Sequence, residues 1–429
     1  MSSLEHPFSP ADQEAFEVRQ LLALRSQPEI MQLLSQCTPA ELRNQKRLRQ
    51  QFDELLVPAA IALHETRQRA IGKLPSPAQL WLSRTGLEQA TAWEIARHKA
   101  ARFTQCEQVY DLCCGIGMDA AALTHATPVI AVDQSPAMVL RTTWNHEVLG
   151  GKHPLQTLCQ DVQQTDWTGT FVHADPDRRD GRDRPTKRLE QYLPDLTWMQ
   201  RLAGTAKGGA IKISPASNFQ QKFPGCEIEL ISLHGECREA TVWFGELSGN
   251  FAFSATCLDS NETLSADPLS AWVAKAEHTD RFLFDPDPAI VRAGLIDVLA
   301  ERHCLLRLDG EEEYLTGSQL PDTGFLAAFE IEAVLGSNVK DLKSHLRNSP
   351  RSEYEIKCRR VRVEADVLRR SLPKGDGPPT VIIVCRVAGR VHHVVARRLQ
   401  RPHNPPKQHP PATPPPTATS PPIAPVKWG

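Results

Sequence analysis

The stretch Val109-Tyr110-Asp111-Leu112-Cys113-Cys114-Gly115-Ile116-Gly117-Met118-Asp119-Ala120 holds the residue types with the most chemistry. An apolar run leads into two glycines and then into helix-forming residues, which predicts a strand, a glycine turn and the start of a helix. Gly115 and Gly117 permit a tight turn and close approach of a ligand to the backbone. The N–H groups opening the helix are offered to a carboxylate or phosphate. Three more acids end the apolar runs that follow: Asp133 after Val129-Ile130-Ala131-Val132, Asp161 in Cys159-Gln160-Asp161-Val162, and Asp175 in Ala174-Asp175-Pro176-Asp177. Ligands of open α/β sheets bind at the carboxyl ends of the strands. There Asp133 is placed to accept from ribose hydroxyls and Asp161 from an adenine amino group. Asp111 discriminates between nucleotides, because a carboxylate beside the loop repels a pyrophosphate and attracts an ammonium. That favours S-adenosylmethionine over NAD. A single Asp at a strand end is commonly a helix cap or a solvated turn residue; four in order beside a glycine loop point to a site.

These residues need a frame, and the apolar periodicity supplies it. Residues 13 to about 105 follow a helical period, through Leu21-Leu22, Ile30, Leu33-Leu34, Leu55-Leu56 and Ile61-Leu63. Thr38-Pro39 ahead of Glu41-Leu42 fits an N-cap with proline at the first helical position. From about 107, short apolar runs (Val109–Leu112, Val129–Val132, Phe171–Ala174, Gly209–Ile213) alternate with mixed, helix-like stretches, the mark of βαβ units and a parallel sheet. Residues 226–258 hold three strand-like runs, Glu227–Leu233, Arg238–Phe244 and Phe251–Leu258, with connections short enough for two hairpins. A polar stretch at 259–277 marks a boundary. Beyond it lies a smaller α/β region at about 280–400, helix-like over Pro288–Arg302 and Val339–Arg347 and strand-like over Tyr354–Val363 and Thr380–Cys385. The final 29 residues contain 11 Pro and almost no large apolar residue, a composition that favours polyproline II and disorder.

Residues 107–258 resemble a class I S-adenosylmethionine-dependent methyltransferase, with DLCCGIG as first motif, AVDQS as the acidic second, CQDV as third and HADPDRR as fourth. The resemblance implies an α/β, Rossmann-like doubly wound sheet at 106–260, with Asp111, Gly115, Gly117, Asp133 and Asp161 on the cofactor and Asp175 as the catalytic residue. The fourth motif departs from the Asp/Asn-Pro-Pro-aromatic form of amino-methyltransferases of nucleic acids. Asp175-Pro176-Asp177-Arg178-Arg179 lacks the second Pro and the aromatic, and is nearer the Asp-Pro-Pro-Arg form of some RNA base methyltransferases. That makes Asp177, Arg178 and Arg179 the substrate-binding candidates. No Pro-Cys nucleophile motif is present, and Cys113 and Cys114 fit a packing role. His173, ahead of the Asp-Pro, fits either a base or a structural histidine.

The flanks extend the likeness to about residues 20–400. Leu87-Glu88-Gln89-Ala90-Thr91 and Ala96-Arg97-His98-Lys99-Ala100-Ala101-Arg102-Phe103 are similar to a bacterial branch with a helical N-terminal region (here 1–105). That branch carries a small C-terminal α/β domain termed THUMP-like (here 280–400), and Phe284-Asp285-Pro286-Asp287-Pro288 and Tyr354-Glu355-Ile356-Lys357 fit it. True THUMP domains bind the acceptor end of tRNA, so the resemblance implies an RNA partner. Charge agrees: Lys357–Arg401 has 12 Lys or Arg against 3 Asp or Glu, a formal balance of +9 in a chain of net charge −2. Arg178, Arg179, Arg182, Arg184, Lys187 and Arg188, against Asp180 and Asp183, form either a solvated loop or a phosphate clamp.

The expected activity is methylation of a base nitrogen of tRNA or rRNA, with no metal. A methyltransferase of small molecules or proteins, and a non-catalytic RNA-binding protein on the same fold, are the alternatives; a dehydrogenase is disfavoured by Asp111. The 11 Cys form no C-x-x-C pair, no apolar run reaches about 18 residues, and the start MSSLEHPFSPADQEAF has no signal-like h-region, so a cytoplasmic protein without a membrane span is expected.

Overall fold

Ser9 opens the described chain as the N-cap of α1 (Pro10–Ser26), closing a reciprocal capping box with Asp12. The computed structural model describes residues 9–37, 45–178 and 186–399; the Thr38-Pro39 cap, Arg179 and the Pro-rich tail lie outside them. Helices α2 (Pro28–Ser35), α3 (Lys46–Gln51), α4 (Leu56–Arg69), α5 (Arg84–Gln89) and α6 (Trp93–Ala101) complete the N-terminal region. Ile30, Leu34, Leu48, Val57 and Ala60 form its small core.

The alternation from residue 107 folds as a Rossmann-like α/β sheet. Strands β1 (Val109–Leu112), β2 (Val129–Asp133), β3 (Leu155–Cys159), β4 (Phe171–Ala174) and β5 (Gly208–Ile213) run parallel in the order β3-β2-β1-β4-β5. Helices α7 (Met118–Leu123), α8 (Pro136–Leu149) and α9 (Leu196–Thr205) supply the crossovers. The sheet continues through β7 (Glu236–Gly245), β6 (Glu227–Leu233), β8 (Phe253–Cys257) and β9 (Glu262–Ala266).

Two expectations need correction here. Of the three strand-like runs at 226–258, β6 and β7 form a hairpin but β7 and β8 do not; β8 runs parallel to β6, with Ile228 opposite Phe253. The reason is that β7 has β5 on its other edge, Gly209 opposite Phe244, and offers no edge to β8. The polar stretch at 259–277 is also more than a boundary, because β9 within it pairs with β8 and extends the sheet.

A second, seven-stranded sheet follows, in the order β11-β12-β10-β13-β16-β15-β14. Its strands are β10 (Phe282–Pro286), β11 (Leu306–Arg307), β12 (Leu315–Gly317), β13 (Leu326–Leu335), β14 (Tyr354–Cys358), β15 (Thr380–Val387) and β16 (Arg390–Arg398). The helical run at Pro288–Arg302 is split into α10 (Pro288–Ala293) and α11 (Ile296–Arg302) by Gly294, whose φ of +75° ends the first helix. Helices α12 (Val339–Asn348) and α13 (Ala365–Ser371) bury Leu342, Leu346 and Leu368 against β15 and β16. The two sheets share one core: Phe284, Ala289 and Ile290 cluster with Ile228 and Leu230. Arg292 fixes the contact, donating from Nη2 to the Ser217 carbonyl at 2.8 Å and lying over the Phe219 ring.

Candidate active site

Gly115 and Gly117 both have positive φ, +55° and +80°, but for different reasons. A Cβ on Gly115 would meet no atom of the described residues within 4 Å beyond its chain neighbours, so that glycine opens onto the space of a cleft. A Cβ on Gly117 would lie 2.8 Å from the Thr142 side chain, so there glycine lets α8 pack against the turn. Helix α8 anchors the loop in return: Thr142 Oγ1 donates to the Gly115 carbonyl at 2.9 Å and Asn145 Nδ2 to the Ile116 carbonyl at 2.8 Å. Cys113 also adopts positive φ, at +59°. Burial among acids pushes the Cys113 and Cys114 thiols well up, which keeps both protonated and unfit as nucleophiles.

The cleft gathers Gly115, Asp133, Asp161, Asp175, Asp177 and Arg178 at the carboxyl edge of the parallel strands. Asp133 accepts from the Gly115 N–H and the Ser135 N–H, both at 2.9 Å, so it braces the loop as well as facing the cleft. Burial pushes its carboxyl up against those two bonds. Asp161 caps a short turn by accepting from the Gln163 N–H at 2.9 Å. Asp175 Oδ2 pairs with Lys212 Nζ at 2.8 Å. Lys212 is buried on β5 and also donates to the Gln89 carbonyl at 2.9 Å. Gln89 Nε2 donates to Asp177 Oδ1 at 2.5 Å, so the end of α5 is tied to the fourth motif at two points. Residues 85, 86 and 89–91 of the N-terminal region form one wall of the cleft.

Asp111 is not on that wall. It is 1% exposed, and Oδ1 meets His173 Nδ1 at 2.6 Å while Oδ2 has no hydrogen-bond partner among the described residues. Burial pushes its carboxyl up, against the His173 hydrogen bond. His173 is equally buried, which fits the structural alternative. The wall carries a different carboxylate, Asp119 on α7, which accepts from the Thr91 hydroxyl at 2.5 Å. Burial opposes its charge, yet Lys99 and Lys212, with the Thr91 hydrogen bond, hold its carboxyl well below the usual range.

Basic side chains on and just after α6 hold the buried acids of β6 and β7. Lys99 pairs with Glu239 at 2.7 Å, His98 with Glu229 at 2.7 Å and Arg102 with Glu227 at 2.6 Å. Against burial, His98, Arg102 and the Thr256 hydroxyl hold Glu229 at about 2. Sequence reasoning passed over Lys212, Lys99 and Asp119. The available signal was a Lys inside a wholly apolar strand, since a buried Lys demands a partner.

The basic C-terminal segment corrects another expectation. Lys357 and Arg359 pair with Asp285, Arg360 with Glu313, Arg397 with Glu330 and Arg398 with Glu355. Acids outside the counted stretch neutralise much of it, so its formal +9 is not a local field. Among the described residues no ion pair is made by Lys340, Lys343 or Arg347, which fall on one face of α12 at helical spacing. Among the described residues, too, no group of three or more His, Cys, Asp or Glu is arranged to hold a metal, and no helix is long and apolar enough to cross a membrane.

Comparison with known proteins adds three likenesses. The profile of a family described as THUMP domain-like matches residues 326–398. The chain is 34% identical over 347 residues to an uncharacterized S-adenosylmethionine-dependent methyltransferase found in two strains of Mycobacterium tuberculosis, covering 77% of this chain and 93% of the relative. A solved structure from Porphyromonas gingivalis W83, provisionally assigned as a methyltransferase, superposes with a TM-score of 0.73 at 17% identity, over 92% of this chain and all of that one.

Proposed function

Because the chain belongs to the S-adenosylmethionine-dependent methyltransferases, we propose that it methylates a base nitrogen of tRNA or rRNA. Asp175 carries this reading: Lys212 holds Oδ2, and Oδ1 has no partner among the described residues where the side chain lines the cleft. An ionised carboxylate is only an acceptor, so the group docking against it must bring an N–H or O–H. An amino or ring nitrogen of a base meets that requirement.

S-adenosylmethionine is the cofactor, and the cleft fits it, since Gly115 leaves the backbone open and the wall is rich in carboxylates. When bound, it supplies a methyl group already activated by its sulfonium. What the chain supplies is position and charge complementarity. Asp133 accepts from ribose hydroxyls and Asp161 from the adenine amino group, while Gly115 and Gly117 shape the cradle. Asp175 accepts the target N–H and so aims the nitrogen lone pair. Asp177 and Arg178, which line the same cleft, meet the nucleotide. On this reading the methyltransferase domain expected at 106–260 runs on through β9, and the THUMP-like domain at 280–400 offers RNA the basic face of α12 rather than its strands.

The test is transfer of radiolabelled methyl from S-adenosylmethionine into RNA, protein and small-molecule extracts, with and without RNase. Label in RNA that vanishes with RNase supports the reading. Label confined to protein or small molecules overturns the RNA assignment and keeps the enzyme class.

A further inference from the structure

Lys99 sits where three segments of the chain meet. It is 1% exposed on α6, and its ammonium has three N–H donors. Three acceptors surround it: Glu239 Oε1 at 2.7 Å, Asp119 Oδ1 at 2.9 Å and His173 Nε2 at 3.1 Å. With every proton of the ammonium directed, His173 Nε2 must accept. The imidazole proton is therefore on Nδ1, donated to Asp111 Oδ1. This tautomer follows from the bonding pattern around the ring. The charge of Asp111 thus answers inward, to a buried histidine, and it does not reach the cleft.

Asp119 does reach the cleft. Lys99 takes one lone pair of Oδ1 and Thr91 one of Oδ2, which leaves an acceptor site on each oxygen. The carboxylates that line the cleft, Asp119, Asp133, Asp161, Asp175 and Asp177, outnumber Arg178 on its wall and Lys99 and Lys212 behind it, so the wall favours a cationic group. We infer that the ammonium at the methionine end of the cofactor is received by Asp119 and not by Asp111, and that Lys99, contributed by the N-terminal helical region, is the positioning residue for that carboxylate. The N-terminal region is then part of the cofactor site, and Asp111 acts one layer below it.

This inference rests on the cleft being the cofactor site, and its test needs no methyl acceptor. Calorimetric titration of the full chain with S-adenosylhomocysteine, and with 5′-methylthioadenosine, which lacks the amino-acid end, separates the contributions. Asp119→Asn is expected to weaken S-adenosylhomocysteine about tenfold or more and to leave 5′-methylthioadenosine within about twofold. Lys99→Met is expected to show the same selectivity. Should it fail to fold, Thr91→Val, which removes the other hydrogen bond to Asp119, tests the positioning with less disruption. Asp111→Asn is expected to leave the ratio of the two affinities unchanged. Equal weakening of both ligands by Asp119→Asn, or selective loss in Asp111→Asn, overturns the inference. Failure of the unaltered chain to bind either ligand overturns it together with the assignment of the cleft, which the other outcomes leave standing.

Discussion

In the first sheet, Asp119, Asp133, Asp161, Asp175 and Asp177 gather around one cleft; in the second, Asp285, Glu313 and Glu330 are matched to Arg359, Arg360 and Arg397. The topologies account for the difference. Parallel strands all end on the same edge, so acids at successive strand ends converge on one opening. In the second sheet most neighbours are antiparallel, and Glu330 on β13 stands directly opposite Arg397 on β16, a cross-strand pair that neutralises itself. A run of like charge in the sequence therefore means little until its cross-strand partners are known.

Six substitutions and one acid titration probe that contrast, from large effect to small. Arg359→Met should remove about 1.5–3 kcal/mol of folding stability in chemical denaturation, because Asp285 and Glu313 each lose a charged hydrogen-bond donor and keep only Lys357 and Arg360. A loss under about 1 kcal/mol would show that these pairs are surface decoration. Asp175→Ala should cut methyl transfer about 100-fold or more, with S-adenosylhomocysteine binding nearly unchanged by calorimetry. Retention of full activity would remove Asp175 from the reaction.

Gly115→Ala should weaken cofactor binding about tenfold, since the φ of +55° strains any side chain and the Cβ enters the cleft. Unchanged affinity would mean that the ligand does not approach the loop. Acid titration should show stability falling between the ordinary carboxyl value of 4.5 and about 2, the value at which Glu229 is held. Above that window Glu229 is ionised in both folded and unfolded chains and its ion pairs stabilise the fold. Within it only the unfolded chain takes up the proton, so stability declines as pH falls. Glu229→Gln should flatten that slope, and an unaltered slope would assign acid sensitivity elsewhere.

The smallest effect is expected from Arg397→Ala, which should leave RNA affinity nearly unchanged because its charge is already met by Glu330. Lys343→Glu on α12 should weaken RNA binding and lower its salt dependence. The reverse ranking in filter-binding assays at two salt concentrations would return the interface to the strands.

Much of the framework was legible without coordinates. The strand–glycine–helix unit at residues 109–120, the ordered acids Asp133, Asp161 and Asp175, the helical N-terminal region and the α/β C-terminal region all follow from local periodicity and turn chemistry. These properties act over a few residues, and sequence spacing records them. The tertiary structure decided which charges face a ligand and which face each other. Asp111 and Asp119 are eight positions apart, yet one is sealed against His173 and the other opens onto the cleft. Lys99 finds its acceptors at residues 119, 173 and 239, and Lys212 binds Asp175 and Gln89 from β5. Burial and ion pairing depend on partners brought from far along the chain, and a buried charge takes its role from those partners, not from its neighbours in sequence.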